Sequence, residues 1–148
     1  MSPVSARLKG RYRQVERLLA DVVAWARDRG DVEAVALVGS YARGRAGMAS
    51  DVDLTVLTPA FAELAADGEW FERLRPGSRL IRSAAWGPLL ERRYRLRSGL
   101  QVEVGLVSSS WAQLPLDPGT RRVLGDGHRV LHDPRGLLAR AGEALTAG

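Results

Sequence analysis

Apolar residues recur at helical spacing along the first part of the chain. They fall at i, i+4, i+7, i+11, i+14 and i+18, so they form one stripe on a helix. The pattern predicts an amphipathic helix over residues 5–29, which ends at Arg29-Gly30 because glycine suits the position after a helix. The stripe consists of Leu8, Tyr12, Val15, Leu19, Val22 and Ala26.

Two short segments with strand patterns follow this helix. Glu33–Val38 is almost continuously apolar, which is typical of a strand buried on both faces. Gly39-Ser40 interrupts it, and we expect a short helix from Ser40 to about Arg45 with Ser40 as its N-cap. Val52–Leu57 alternates polar and apolar residues, and this alternation predicts a second strand.

The remaining residues predict short helices, hairpin-linked strands and a mixed tail. Gly87-Pro88 and Arg97-Ser98-Gly99 have the composition of hairpin turns. The predicted elements are one or two helices over 59–74, strands at Leu80–Trp86, Leu89–Leu96 and Leu100–Val107, a helix near 119–125, a strand at Arg129–Leu131 and a last helix after Pro134.

This order of elements predicts an α/β (α+β) fold with one mixed β-sheet flanked by helices. The chain has 148 residues, about the length of one ordinary domain. It contains no repeat, linker or low-complexity tract that would divide it. We therefore predict a single domain, 1–148, with an N-terminal helix 5–29, a core 33–107 and a C-terminal extension 110–148.

The segment Asp51-Val52-Asp53-Leu54 combines two carboxylates with strand alternation. Residues i and i+2 of a strand point to the same side, so Asp51 and Asp53 are expected side by side while Val52 and Leu54 pack into the core. Two like charges this close raise each other's pKa unless a cation lies between them. Oxygen ligands select hard divalent cations, so Mg²⁺ is the expected occupant.

The Gly39-Ser40 turn follows a buried strand and begins a helix. At such a point, backbone N–H groups and the positive end of the helix dipole face outward and favour an anion. Gly39 lets a phosphate approach the backbone closely, and Ser40 adds a hydroxyl donor. Arg43 and Arg45 lie within a turn and are candidate phosphate ligands. The turn and the paired carboxylates together predict a site for a metal-chelated triphosphate.

A third carboxylate is expected, because two metal ions that bridge an attacking and a leaving oxygen usually need one. Glu103 is the best candidate, since it interrupts an apolar strand where an unpaired carboxylate would be costly. Glu91 is the competitor. Arg92 and Arg93 flank it, however, and a surface ion pair would account for it.

Val38-Gly39-Ser40, a ten-residue spacer and Asp51-Val52-Asp53-Leu54 resemble the signature of the DNA polymerase beta-type nucleotidyltransferase superfamily. That signature is an apolar residue, Gly, Gly or Ser, nine to thirteen residues, and then Asp, apolar, Asp or Glu, apolar. This chain matches it at every position. The fuller segments 39–44 and 50–54 are similar to the small stand-alone branch called minimal nucleotidyltransferases, and the resemblance covers residues 33–107.

The resemblance implies transfer of a nucleoside monophosphate, most often AMP from ATP, to an acceptor hydroxyl, with Mg²⁺ and release of pyrophosphate. It implies that Asp51 and Asp53 hold the metal. It also implies that Glu103, by its strand position, is the third metal-binding carboxylate and aids deprotonation of the acceptor. Gly39 and Ser40 would bind the β and γ phosphates.

The acceptor is left open by the sequence, and three classes compete. The first is a small molecule such as an aminoglycoside-like alcohol. The second is a partner toxin of the HEPN class, which an antitoxin-type minimal nucleotidyltransferase binds and nucleotidylates. The third is a nucleic-acid end, which the net charge of +5 favours; a non-catalytic nucleotide- or nucleic-acid-binding module is the alternative to an enzyme. A homodimer is one way for so short a chain to complete its cleft.

The composition excludes several other classes of site. There is no cysteine, so disulfides, thiolate zinc sites and cysteine nucleophiles are absent. No apolar run approaches the roughly 18 residues of a membrane helix, and we expect a soluble cytoplasmic protein.

Two further expectations concern side chains near the site. Trp86 and Trp111 are expected in the core, although both are candidates for an acceptor pocket, and a solvated strand face is predicted for Arg92, Arg93, Arg95 and Arg97.

Overall fold

The computed structural model describes residues 5–147, and the ends of the predicted domain, 1–4 and 148, lie outside the described residues. The helices are α1 (Ala6–Arg29), α2 (Gly39–Ala42), α3 (Phe61–Ala66), α4 (Trp70–Leu74), α5 (Pro118–Gly125) and α6 (Leu137–Ala147), with a 3₁₀ turn at Ser109–Ala112. The strands are β1 (Ala34–Val38), β2 (Val52–Leu57), β3 (Arg79–Trp86), β4 (Leu89–Arg95), β5 (Gln101–Val107) and β6 (Arg129–His132).

The six strands form one mixed sheet in the order β3-β4-β5-β2-β1-β6. β2 and β5 run parallel, and the other neighbouring strands run antiparallel. Helices flank this sheet, as the order of elements predicted. The parallel pair at its centre places the first residues of β2 and β5 at the same end of the sheet.

The first helix has the caps that its sequence indicates. The Ser5 side chain accepts a hydrogen bond from the backbone N–H of Leu8, and Gly30 ends α1 in the left-handed conformation. The buried stripe of α1 packs on one face of the sheet together with α3 and α4. This face forms the larger core, to which α1 contributes Val15, Leu18, Leu19, Val22 and Ala26.

The opposite face of the sheet is covered only in part. A second core lies under α5, α6 and the 3₁₀ turn. It packs against the beginning of β1 and the last residues of β2 and β5. Trp111 is buried there, as expected. The polar residues at the beginning of β2 and β5 are half-buried on this same face, so this part of the sheet stays accessible.

The short helix α2 begins one residue earlier than predicted. It starts at Gly39, with Val38 in the cap position and no side-chain cap hydrogen bond, so the prediction of Ser40 as N-cap is wrong. Gly39 has a φ of 75°, a value that glycine adopts without steric cost. The chain therefore turns at Gly39 itself, and Ser40 already lies inside the helix.

Among residues 5–147, no helix is both long and apolar enough to cross a membrane.

Candidate functional site

Polar side chains form a row across the open face of the sheet. Asp53 on β2 lies opposite Glu103 on β5, Glu103 lies opposite Arg93 on β4, and Arg93 lies opposite Arg82 on β3. Residues opposite each other on neighbouring strands share a face and are about 5 Å apart. Strand pairing alone therefore brings two carboxylates and two guanidinium groups together.

Asp51 lies beside Asp53 at the end of this row. Asp51 directly precedes β2, and Asp53 is the second residue of that strand. Both are half-buried, whereas Val52 and Leu54 are buried in the core on the other face. The alternation predicted from the sequence thus holds, and two carboxylates stand on one side of β2.

The Asp53 carboxylate lies directly against the turn at Gly39. A Cβ atom added to Gly39 would be 2.1 Å from Oδ2 of Asp53 and 3.1 Å from its Cγ. No side chain fits there, so the turn requires glycine for this close approach as well as for its φ of 75°. The two parts of the sequence signature, the glycine turn and the aspartate pair, are therefore in contact.

The pKa of Asp53 is raised from 3.8 to about 6. Burial is the largest cause, and the neighbouring Asp51 carboxylate raises it further. The guanidinium groups of Arg93 and Arg43 lower it, which offsets part of the effect. The raised pKa of Asp53 thus comes first from burial and second from the like charge of Asp51.

Arg93 joins Asp51 to Glu103. Its Nη1 donates to Oδ2 of Asp51 at 2.8 Å and to Oε1 of Gln101 at 2.9 Å. Its Nη2 lies 3.3 Å from Oε1 of Glu103. The prediction that Arg93 belongs to a solvated strand face is wrong, because 22% of its side chain is exposed and its guanidinium contacts two carboxylates.

Glu91 is buried rather than paired at the surface. It is 5% exposed, and its Oε2 accepts a hydrogen bond from Nε1 of Trp86. Arg92 points to the other face, where its Nε donates to the carbonyl of Ala65, while Arg93 contacts Asp51 and Glu103. The predicted surface ion pair is therefore wrong, since Arg92 faces the opposite side of the sheet and Arg93, on the same side as Glu91, bonds Asp51 and Glu103 instead.

A cleft of about 380 Å³ opens over this row. Its floor contains three carboxylates, Asp53, Glu91 and Glu103. Trp86, at the end of β3, forms part of its wall and is 60% exposed, so the expectation of a core position for Trp86 is wrong. The complete lining is Val38, Asp53, Leu54, Thr55, Arg82, Trp86, Leu89, Glu91, Glu103, Gly105 and Val123.

The residues predicted to bind phosphate lie around the turn at Gly39, on the side of Asp53 away from Trp86. Gly39 and Ser40 form the first turn of α2 and are half-buried. Arg43 is exposed, is close enough to Asp53 to lower its pKa, and its Cγ would lie 3.1 Å from a Cβ at Gly127. Arg45 is also exposed, and its backbone N–H donates to the carbonyl of Ser40.

The donor set fits one divalent cation better than two. Asp51 and Asp53 would supply oxygen ligands from the same side of β2, and a cation between them would reduce the repulsion by Asp51 that adds to the effect of burial on the pKa of Asp53. Within residues 5–147, however, no three His, Cys, Asp or Glu side chains are grouped closely enough to hold a metal ion. Glu103 instead pairs with Arg93.

The sequence contained a signal for Arg93 that the charge pattern obscured. A hairpin centred on Ser98 pairs position 93 with position 103, and the structure has this register. Arg93 could thus have been placed beside Glu103 from the turn alone. The contact between Trp86 and Glu91 had no comparable signal, because it depends on a side-chain conformation at the hairpin end.

Residues 19–116 match the family model described as a nucleotidyltransferase domain. The match begins within α1, extends beyond β5, covers about two thirds of the chain and includes the whole polar row. No curated protein matches the chain.

Proposed function

Because this chain belongs to the nucleotidyltransferase-domain family, we propose that it transfers AMP from ATP, with Mg²⁺, to an acceptor hydroxyl and releases pyrophosphate. Nucleotidyl transfer as such follows from the family, whereas the base, the metal and the acceptor are parts of the proposal. The observation that carries it is the contact between the Gly39 turn and Asp53, beside Asp51.

Asp51 and Asp53 would hold the divalent cation, and Glu103 would be the third carboxylate of the site. The cation, when bound, would neutralise charge on the phosphates and orient them. The chain's own contribution is positioning, since β2 fixes both aspartates on one side and the Gly39 turn limits where the Asp53 carboxylate can lie.

The phosphates would lie at the beginning of α2. Gly39 lacks a side chain and leaves the backbone accessible, and the Ser40 hydroxyl can donate to a phosphate oxygen. Arg43 and Arg45 would add positive charge at the exposed side of the turn. We assign the β and γ phosphates to this turn, so that the α-phosphate faces the carboxylates.

The acceptor oxygen would attack the α-phosphorus in line with the leaving pyrophosphate. One oxygen–phosphorus bond forms, the bond between the α-phosphorus and the bridging oxygen breaks, and the acceptor proton is removed. Glu103 would accept this proton or hold the acceptor, since it lies on the floor of the cleft beside Asp53.

The acceptor would enter the cleft between β3 and α5. Its volume of about 380 Å³ suits a small molecule, because ligand sites of this kind measure roughly 300–1,000 Å³. The exposed Trp86 offers a flat apolar face, and the carboxylates of Glu91 and Glu103 offer hydrogen-bond acceptors. We therefore favour a small alcohol over a macromolecule.

An assay with labelled nucleotides tests the proposed function. Each NTP, labelled at the α-phosphate, is incubated with Mg²⁺, purified protein and a cell lysate separated into small-molecule, RNA and protein fractions. We expect label from ATP in the small-molecule fraction with the wild type and none with Asp51→Asn. Glu72→Gln, an exposed acid on α4, is the control. Equal labelling by the wild type and Asp51→Asn would refute the assignment.

Trp86→Ala should weaken acceptor binding alone. Because Trp86 lines the cleft on the side away from the Gly39 turn, we expect KM for the acceptor to rise about tenfold while KM for ATP stays the same, consistent with loss of one aromatic contact. Trp86→Phe keeps the aromatic face and should recover most of the affinity. A change in KM for ATP would place Trp86 at the nucleotide instead.

The same labelling assay separates the alternative acceptors. Label on a small protein partner would favour the antitoxin-type function with a HEPN-class toxin, and label on RNA would favour an end-modifying enzyme whose binding falls steeply with salt. Cytoplasmic location and homodimer formation stay predictions, and the elution volume of the pure protein on a sizing column tests the second.

A further inference from the structure

The guanidinium of Arg93 lies within the cluster of carboxylates that the proposed reaction uses. It donates to Asp51 at 2.8 Å and to Glu103 at 3.3 Å. Gln101, on the same strand as Glu103, accepts a third hydrogen bond from it at 2.9 Å. One cation of the chain itself therefore already connects two of the three acids assigned to metal binding.

The surroundings of Arg93 hold its side chain in place. Its strand, β4, is paired on both sides, with β3 and β5. Its Nε is buried and has no hydrogen-bond partner among the described residues, and a buried donor without a partner is unfavourable. The terminal nitrogens of the same guanidinium make three hydrogen bonds, to Asp51, Gln101 and Glu103.

The charge of the cluster changes accordingly. Asp51, Asp53 and Glu103 would carry three negative charges, enough to attract two divalent cations. With Arg93 in the cluster one charge is neutralised, and Glu103 points its Oε1 to the guanidinium. The three acids are not placed to hold a metal ion together, since within residues 5–147 no group of three His, Cys, Asp or Glu side chains has that arrangement.

We propose that Arg93 is a permanent cation of this site, so that the chain binds one divalent ion, at Asp51 and Asp53, and not two. Arg93 takes the place of the second ion: it holds Asp51 and Glu103 in position and supplies positive charge beside the cleft. This inference rests on the proposed function for the reaction, but its test measures metal binding and does not require an acceptor.

The number of bound ions tests the inference directly. Mn²⁺ alone is titrated into the metal-free protein, and free Mn²⁺ is counted by its electron paramagnetic resonance signal. We expect one Mn²⁺ per chain in the wild type and none in Asp53→Asn. Arg93→Gln removes the guanidinium charge and should double the Mn²⁺ bound per chain, since it releases the two oxygens that Arg93 holds, Oε1 of Glu103 and Oδ2 of Asp51, for a second ion.

Two further variants separate charge from other effects of the substitution. Arg93→Lys keeps the positive charge, so we expect it to bind one Mn²⁺ like the wild type. Arg95→Gln removes an exposed arginine two residues along the same strand, and it should also bind one. If Arg95→Gln bound as much Mn²⁺ as Arg93→Gln, a general loss of positive charge would explain the result and the inference would be wrong.

Thermal unfolding provides a second readout on the same proteins. Without metal, Arg93→Gln should unfold at a lower temperature than Arg95→Gln, because its carboxylates are left uncompensated. Mn²⁺ should raise its Tm by more than it raises that of the wild type, since ligands stabilise in proportion to the sites they occupy. An equal rise in both proteins would contradict the inference.

The outcomes distinguish this inference from the proposed function. Two Mn²⁺ ions in the wild type, or one in both wild type and Arg93→Gln, would overturn the role of Arg93 and leave nucleotidyl transfer unaffected. Conversely, a wild type that binds one Mn²⁺ but transfers no nucleotide from any NTP would refute the function and leave the single-ion site intact.

Discussion

Asp53→Asn should abolish nucleotidyl transfer and at the same time stabilise the metal-free protein at neutral pH. We expect activity to fall by at least about a thousandfold, which corresponds to about 4 kcal/mol of lost transition-state stabilisation. The reason is that the Asp53 carboxylate lies against the Gly39 turn and stands beside Asp51. An amide of the same shape removes the charge that would hold the cation.

The gain in stability follows from the raised pKa of Asp53. The Asp53 carboxyl has a pKa of about 6 in the folded protein, against the ordinary value of 3.8 in the unfolded chain. Stability is therefore lost as the pH rises from about 4 to about 6, and above pH 6 the full cost is present. That cost is about 3 kcal/mol, and Asp53→Asn does not incur it.

Urea unfolding of the metal-free proteins at several pH values measures this effect. The free energy of unfolding of Asp53→Asn should exceed that of the wild type at pH 7, and the difference should shrink toward pH 4. Glu72→Gln, which removes an exposed carboxylate on the other side of the sheet, serves as the control and should show no such trend. A variant less stable than the wild type at pH 7 would contradict the assigned pKa.

Gly39→Ala should impair both folding and activity. The new Cβ would lie 2.1 Å from Oδ2 of Asp53, and alanine at a φ of 75° costs about 1–2 kcal/mol by itself. Overpacking at Asp53 should add about 1–3 kcal/mol. Because the Asp53 carboxylate must move, we expect transfer activity to fall by about a hundredfold in addition.

Gly44→Ala is the matched control for this substitution. Gly44 also has a positive φ, 70°, but no atom outside its own neighbours lies within 4 Å of the position of its Cβ. Gly44→Ala should therefore lower the free energy of unfolding only by the cost of its backbone conformation, and the variant should keep its activity. In an Asp53→Ala background, Gly39→Ala should cost little more than Gly44→Ala, since the clash partner is gone. If Gly39→Ala and Gly44→Ala lowered the free energy of unfolding equally in the wild-type background, the Gly39 turn would not constrain the Asp53 side chain.

Most of the fold could be predicted from local pattern. The helix predicted over residues 5–29 has an apolar stripe at the helical period, a capping serine at its start and a glycine after it. The structure has this helix at Ala6–Arg29. The hairpin strands were predictable because their turns have specific composition, and β3, β4 and β5 begin and end within about one residue of the prediction. The start of α2 was missed by one residue, because the positive φ of Gly39 moves the turn forward.

The positions of the candidate site residues could be predicted where they follow strand alternation, and they were missed where they depend on strand pairing. Asp51 and Asp53 lie on one side of β2, as period-two alternation requires. The sequence pattern predicts a solvated position for Arg93 because it is one of four closely spaced arginines, which together look like a charged surface. The ion pair expected for Glu91 is not formed, because Arg92 faces the other side of the sheet and Arg93 contacts Asp51 and Glu103. The register of β4 against β5 decides both cases.

The order of the strands separates two tasks. Asp51 and Asp53 belong to the middle of the sheet, whereas Trp86 and Glu91 belong to the hairpin β3–β4, which forms one border of it and joins the rest only through β5. Exchanging β3 and the turn that follows it, with Arg93 kept on β4, would change the wall of the cleft at Trp86 and leave the groups around Asp51 and Asp53 in place. The architecture thus allows the acceptor specificity that we propose to evolve, or to be engineered, by changing one edge strand.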